Sequence, residues 1–203
     1  KPQPAENKNE ETRKGAVGRI EVAEKIENRG SITTGGKIDL ASKDYENHGN
    51  VAINLFTLRE GKLDNRDGSS TFESADIKAS QLDNARGELF LYRAKPIQVK
   101  GEVNNHGGQI HGVDSLSISA GKINNTGGGS ITSDNSLSLQ ARGSINNAGS
   151  IGANNSVSLQ AGKDIANSGQ IRSGNGLSLS AGNDITNGGQ LFAGNTLNLS
   201  AGN

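Results

Sequence analysis

Apolar residues in the second half of the chain recur with a period of about twenty residues. Each repeat opens with Ile, and an Asn follows two residues later in every copy. It closes with two apolar residues spaced two apart and then Ala. Four copies run from Ile123 to Ala141, Ile145 to Ala161, Ile165 to Ala181 and Ile185 to Ala201. A period of this length predicts a stack of similar units.

The same opening continues into the first half, where the rest of the repeat is less regular. Its pattern is an apolar residue, an acidic or amide residue in most copies, and Asn. The nine openings begin at Ile26, Tyr45, Leu63, Leu82, Val103, Ile123, Ile145, Ile165 and Ile185. Successive openings are 19, 18, 19, 21, 20, 22, 20 and 20 residues apart. This regularity predicts nine coils.

The conformation of one coil follows from the spacing within it. Leu177, Leu179 and Ala181 lie two apart, which is the side-chain alternation of a strand with one buried face. Helical spacing is absent. Glycine and asparagine cluster between such segments, as at 147–149 and 167–169, where they favour tight turns. Each repeat is therefore predicted to form two or three short strands joined by corners.

A coil of this kind cannot bury its apolar face alone, so stacking has to complete the core. The predicted fold is all-β, a right-handed parallel β-helix of about nine coils, since parallel crossovers are nearly always right-handed. At about 4.8 Å per coil, the rod is on the order of 40 Å long. The repeated asparagines are expected to form internal amide ladders at one corner, in preference to a binding role.

Composition agrees with a narrow β-coil and excludes several other classes. Aromatic residues make up 3% of the chain, and 29 of its 203 residues are glycine. There is no cysteine, no apolar run long enough to span a membrane and no signal-peptide pattern. The net charge is zero, and neither half carries an excess of one sign. We therefore expect no nucleic-acid partner and no membrane insertion by this segment.

Regularity and charge divide the chain into three parts. Residues 1–18 contain two prolines and many charges, and they are expected to be a flexible leader. Residues 19–102 are irregular coils and a possible binding region, whereas residues 103–203 are regular coils. Of the charged residues, 17 basic and 17 acidic lie in positions 1–102, against four of each in 103–203. Whether the first half forms a separate subdomain stays open.

The repeat resembles a known family. Its opening, Ile-Asn-Asn-x-Gly, and its close, as in Leu177-Ser178-Leu179-Ser180-Ala181-Gly182, are similar to the haemagglutinin repeats of filamentous haemagglutinin and of contact-dependent growth inhibition exoproteins. The resemblance covers residues 26–203. It implies a secreted, two-partner-exported protein of the Gram-negative cell surface, whose β-helical shaft projects toward another cell.

Two parts of such proteins have no counterpart in this sequence. One is the amino-terminal secretion domain with its Asn-Pro motifs, through which an outer-membrane secretion partner would act. The other is the Val-Glu-Asn-Asn boundary that precedes a toxic carboxy-terminal domain. The chain is thus expected to be a middle piece of a larger exoprotein, and its partner is expected to be a surface receptor on a host or neighbouring cell, either protein or glycan.

Signatures of catalysis and of metal binding are weak. His106, His111 and Asp114 lie close in sequence, but surface corners explain them better than a metal site. Asp64 and Asp67 flank Arg66 at a glycine-marked corner, where charged turns are expected. Neither a calcium-binding nonapeptide nor a nucleophile elbow occurs. The sequence therefore predicts no catalytic residues, metal or cofactor, and a protein that is not an enzyme.

The best binding candidates lie in one segment of the irregular half. If Leu89 and Leu91 point into the coil, the neighbouring aromatic rings point outward. The candidates are Phe90, Tyr92, Arg93 and Lys95. Exposed aromatic and arginine side chains are frequent anchors of protein or sugar recognition. The alternative is that they cover an irregular coil or pack on a neighbouring loop. Phe192 is also predicted to point outward.

Three functions are compatible with these observations. The leading one is a structural shaft segment of a secreted adhesin or toxin-delivery fibre. The second places a receptor-binding region in residues 19–102. The third is a carbohydrate-active β-helix enzyme, a role that requires acid and base groups gathered on one face.

Overall fold

The computed structural model describes residues 18–34 and 38–202, and nearly all of the expected leader at 1–18 lies outside them. Short strands and tight turns make up this part of the chain. The strands of the irregular half are β1 (Gly18–Asn28), β2 (Ser31–Thr33), β3 (Ile38–Asn47), β4 (Asn50–Arg59), β5 (Lys62–Asp64), β6 (Ser69–Ala79), β7 (Gln81–Asp83), β8 (Glu88–Ala94) and β9 (Ile97–Val99).

The regular half has three strands in every coil. They are β10 (Glu102–Asn104), β11 (Gln109–Gly112), β12 (Leu116–Ala120), β13 (Lys122–Asn125), β14 (Ser130–Ser133), β15 (Leu137–Ala141), β16 (Ile145–Asn147), β17 (Ser150–Ala153), β18 (Val157–Ala161), β19 (Ile165–Asn167), β20 (Gln170–Ser173), β21 (Gly176–Ala181), β22 (Ile185–Asn187), β23 (Gln190–Ala193) and β24 (Thr196–Ala201).

Every strand pairing is parallel and joins one coil to the next. An opening column stacks β10, β13, β16, β19 and β22; a middle column stacks β11, β14, β17, β20 and β23; a closing column stacks β12, β15, β18, β21 and β24. The solenoid has about nine turns with a period near 20 residues. The predicted parallel β-helix is confirmed. Since the described residues contain no helix, none of them belongs to a helix that could cross a membrane.

Longer strands make the first coils different. The first part of β4 pairs with β2 in the middle column, and its second part pairs with β3 in the closing column. One strand thus bends across two faces of the coil, as β6 also does. The columns nevertheless continue into the regular half, because β10 pairs with both β7 and β13.

The core consists of aliphatic columns that run along the axis. In the opening column, Val103, Ile123 and Ile145 are each 0% exposed and lie in register. Leu139 and Leu159 lie in register in the closing column and are 0% and 1% exposed. Leu197 and Leu199 continue these columns in the last described coil, at 47% and 52% exposure.

Asparagine side chains form a second continuous column beside the aliphatic ones. One asparagine per coil takes part: Asn28, Asn47, Asn65, Asn84, Asn105, Asn125, Asn147, Asn167 and Asn187. Each side-chain Nδ2 donates to Oδ1 of the next asparagine at 2.7 to 3.0 Å. The predicted amide ladder is confirmed, and it satisfies polar groups that the coil buries.

The corner that follows each asparagine brings two coils very close together. At Gly108, a Cβ atom would overlap the carbonyl oxygen of Asn84 in the preceding coil. No side chain fits there, so glycine at this corner is a requirement of stacking.

Candidate functional site

The predicted binding segment lies in β8, on the middle column, except for Lys95, which directly follows the strand. Leu89 and Leu91 are buried at 0% and 1% exposure, whereas the Tyr92 ring is 47% exposed. Phe90 is half-buried, and its ring centroid lies 5.6 Å from that of His111 in the next coil. The expected inward and outward orientations are thus confirmed. Phe90 also packs against His111 of the next coil, which agrees with the alternative that these rings cover an irregular coil.

The two cations of the segment are paired with the preceding coil. Arg93 donates to Oε1 of Glu73 at 2.8 Å, and Lys95 Nζ lies 2.7 Å from Oδ2 of Asp76. Both basic side chains are about 70% exposed (70% and 71%), so solvent screens these pairs. They remain accessible to a partner.

Two shallow grooves flank Tyr92 and Arg93. One, of about 400 Å³, lies between Tyr92, Ala52 and Thr71; the other, of about 330 Å³, is more apolar and has Leu55 on its wall. Leu55 is 37% exposed. We call Leu55, Tyr92 and Arg93 the Tyr92 surface.

Leu55 was missed at the sequence level. It lies between the buried residues Ile53 and Phe56, whose spacing of three interrupts the alternation of a strand. That interruption marks the bend of β4 from one face of the coil to the next. It is the feature of the sequence from which the exposure of Leu55 could have been predicted.

Three other aromatic side chains of the first half are in the core. Tyr45, Phe56 and Phe72 are at most 1% exposed. The rings of Phe56 and Phe72 stack with centroids 4.2 Å apart, and Tyr45 meets Phe56 edge-on at 4.8 Å. The aromatic residues of this half therefore belong partly to the core and partly to the outer surface.

An acidic row runs outside the asparagine ladder in the first four coils. Its members occupy successive register positions: Glu27, Glu46, Asp64 and Asp83. Basic side chains from the same and adjacent coils pair with them. The hydrogen bond from Arg29 lowers the pKa of Glu27, and the one from Lys25 lowers the pKa of Glu46. These pairs offset the repulsion between stacked carboxylates.

Asp64 is the buried member of this row, with 3% exposure. Burial on its own would raise its pKa, but Arg66 and Lys62 donate to it at 2.7 to 3.0 Å and together hold the pKa at about 2. Asp67 pairs instead with Arg86 at 2.7 Å. Asp64 and Asp67 thus pair with different basic residues, and these pairs stabilise the charged corner.

The histidines considered as metal ligands are separated. His106 Nδ1 lies 3.1 Å from Oγ1 of Thr126, and His111 Nδ1 lies 2.9 Å from Oγ1 of Thr132. His111 also approaches Oδ1 of Asp134 at 3.5 Å. Across residues 18–34 and 38–202, no three His, Cys, Asp or Glu side chains are grouped so that they could hold a metal ion.

At the other end of the rod, Phe192 is 51% exposed, as predicted. The guanidinium of Arg172 lies over its ring at 5.2 Å from the centroid. Arg172 is not marked by the repeat pattern of the sequence. Aligning the coils in register would have placed the two residues at the same position of successive coils.

Comparison with known proteins gives a consistent result. Searches of curated proteins and of solved structures found no match. The family model described as the haemagglutinin repeat matches residues 15–67, 94–189 and 152–203. These matches cover most of the chain, including coils of both the irregular and the regular half. Together with the parallel solenoid and its period, they show that this chain belongs to the haemagglutinin-repeat family of filamentous haemagglutinin type.

Proposed function

We propose that this chain is a structural shaft segment of a large secreted bacterial surface exoprotein, either an adhesin or a toxin-delivery fibre. The observation that carries the proposal is the asparagine ladder, which runs from Asn28 to Asn187 through eight hydrogen bonds that join successive coils. A continuous column of hydrogen bonds and aliphatic contacts suits an element that sets length and stiffness. Haemagglutinin-repeat proteins are typically secreted surface proteins, which agrees with this role.

The shaft role is tested by changing the number of coils. Deleting residues 145–184 removes two whole repeats and rejoins the chain in register. We expect a folded protein whose maximum dimension, measured by small-angle X-ray scattering, falls by about 10 Å. Deleting residues 145–174 removes one and a half repeats and serves as the matched control, because it places polar residues on the core face. If the whole-repeat deletion unfolds the chain as the control does, or leaves its length unchanged, the shaft proposal fails.

Surface location is tested on bacteria that carry the full-length parent protein. We expect antibodies raised against this segment to label intact cells, and external protease to remove the label. Label that appears only after cell lysis contradicts the proposed location.

A second candidate function is receptor binding by the Tyr92 surface. It is supported by an exposed ring and an exposed Leu55 beside two grooves, with an accessible guanidinium at Arg93. Aromatic and arginine side chains in such a setting are typical of binding hot spots. The receptor is a protein or glycan of a host or neighbouring cell.

Binding of the fluorescent chain to whole cells tests this second function. Tyr92→Ala, Arg93→Ala and Phe90→Ala are expected to reduce binding, while Gln140→Ala, at an exposed position of the closing column, leaves it unchanged. Circular dichroism shows whether each variant keeps its strands. Equal binding by all folded variants rules this surface out and leaves the shaft role untouched.

A further inference from the structure

The outward-facing row of the middle column contains a gap. Successive coils place Thr132, Gly152, Arg172 and Phe192 at the same register position. Because Gly152 has no side chain, the row is interrupted between Thr132 and Arg172. A groove of about 360 Å³ opens there, with the backbone of β17 as its floor.

Neither packing nor backbone conformation requires glycine at this position. A Cβ atom on Gly152 would have no neighbour closer than the carbonyl oxygen of Arg172, at 3.4 Å, which is an ordinary contact. The backbone of Gly152 also does not have the positive φ that favours glycine. Glycine weakens a strand, so a glycine that the fold does not need points to a use for the space it leaves.

One wall of the groove offers a cation and an aromatic face. The guanidinium of Arg172 lies over the Phe192 ring. Among the described residues, no Asp or Glu carboxylate forms an ion pair with Arg172, so its guanidinium donors are available. Arginine binds carboxylates with two parallel hydrogen bonds, and an exposed ring provides a surface on which apolar C–H groups can pack.

The other wall and the floor offer hydrogen-bonding groups. Asp134 and His111 lie opposite the arginine, with Nε2 and Oδ1 3.5 Å apart. Ser150 and Asn154 line the floor on either side of Gly152. The groove therefore combines one accessible cation, one carboxylate and several neutral donors and acceptors.

We propose that this groove binds a single sugar residue that carries one carboxylate, of the hexuronate class. The carboxylate pairs with Arg172, the sugar ring packs beside Phe192, and the hydroxyl groups hydrogen-bond to Asp134 and Asn154. The carboxylate of Asp134 opposes a second negative charge, so densely sulfated chains are disfavoured. This site goes beyond the shaft role and does not depend on it.

The test is a titration of the isotope-labelled chain followed by NMR, with sodium glucuronate, glucose and a polysulfated oligosaccharide as separate ligands. We expect glucuronate to shift the amide signals of Gly152 and Asn154 with a dissociation constant of roughly 1 mM. Glucose, which lacks the carboxylate, is expected to bind at least about ten-fold more weakly.

Variants locate the site. Gly152→Thr restores the row with the residue found at position 132 and is expected to abolish the shifts. Arg172→Gln is expected to remove the preference for glucuronate, and Phe192→Ala to weaken binding. Gln140→Ala, on the closing column, is the control and should bind normally. Amide signals of the asparagine ladder report whether each variant is folded.

Several results would overturn the proposal. Equal binding of glucose and glucuronate contradicts the role of Arg172, and unchanged binding by Gly152→Thr contradicts the groove. Tighter binding of the polysulfated oligosaccharide than of glucuronate indicates charge attraction without a specific site. In all three cases the length test of the shaft is unaffected.

Discussion

The hydroxyl oxygen of Tyr45 lies 2.9 Å from Oγ of Ser70, and this contact joins the aromatic core of the first coils to the asparagine ladder. Ser70 occupies a column position that Val51 and Leu89 fill in the neighbouring coils. Its hydroxyl also donates to Oδ1 of Asn65 at 2.7 Å. Ser70 is therefore small enough to leave space for the Tyr45 ring, and its hydroxyl provides a hydrogen-bond partner.

Tyr45→Phe removes one buried hydrogen bond and keeps the ring. We expect the free energy of unfolding to fall by about 1 kcal/mol. Urea denaturation measures the change. In a double-mutant cycle with Ser70→Ala, the sum of the two single-variant losses in unfolding free energy should exceed the loss in the double mutant. Both single variants break the same contact, so its energy is counted twice in the sum. Strict additivity would mean that the contact contributes nothing.

Asn105→Ala breaks the asparagine ladder in the middle of the rod. It removes the hydrogen bonds to Asn84 and Asn125 and leaves buried amide groups without partners. We expect a loss of about 2 to 4 kcal/mol in urea denaturation. Asn135→Ala is the matched control at an exposed corner and should change stability by less than about 0.5 kcal/mol. Similar losses in the two variants would contradict a stabilising role for the ladder.

Two glycines should respond in opposite ways to alanine. Gly108→Ala places a Cβ against the carbonyl oxygen of Asn84, so we expect a loss of more than about 2 kcal/mol. Gly152→Ala meets only ordinary contacts, and it is expected to be neutral or to stabilise by about 0.5 kcal/mol, because alanine restricts the unfolded chain. Thermal unfolding of the two variants compares them directly. A large loss at Gly152 would show that its backbone requires glycine.

The charged corner at Asp64 predicts acid sensitivity. Its pKa is about 2 in the folded chain, below the ordinary value of 3.8. The resulting stability is fully present above the ordinary pKa and is lost as pH falls toward 2, since the unfolded chain takes up the proton more readily. The loss amounts to at most about 2 kcal/mol, because solvent screens the partly exposed Lys62 and Arg66.

Asp64→Asn measures this contribution. The variant is expected to be less stable than the parent chain at pH 7, because Arg66 and Lys62 lose their partner, and its stability should depend less steeply on pH between 5 and 2. Asp67→Asn, which affects only an exposed pair with Arg86, is the control and should change the pH profile less. Parallel profiles for Asp64→Asn and the parent chain would contradict the assigned pKa.

Much of the fold was predictable because the repeat reports directly on stacking. The aliphatic columns and the ladder follow from positions that recur in every coil, such as Ile145 and Asn147. The bend of β4 was not predictable to the same degree. At the bend, Phe56 packs on Phe72 of the adjacent coil, and this contact joins residues that do not belong to the repeating pattern.

The candidate sites divide in the same way. The alternation of apolar residues at Leu89 and Leu91 was enough to predict that the Tyr92 side chain points outward. The grooves beside it arise from the bent strand, and the groove at Gly152 appears only when the coils are aligned in register.

By itself, the sequence determined the parallel solenoid, its period, its inward columns and its amide ladder, because each of these follows from periodic placement of side chains along the chain. Only the tertiary structure decided which irregular residues became core and which became surface. It also decided which side chains from different coils came together, as Arg172 and Phe192 do. The physical reason is that stacking depends on the repeat, whereas a contact between non-repeating side chains depends on the register and bending of neighbouring coils.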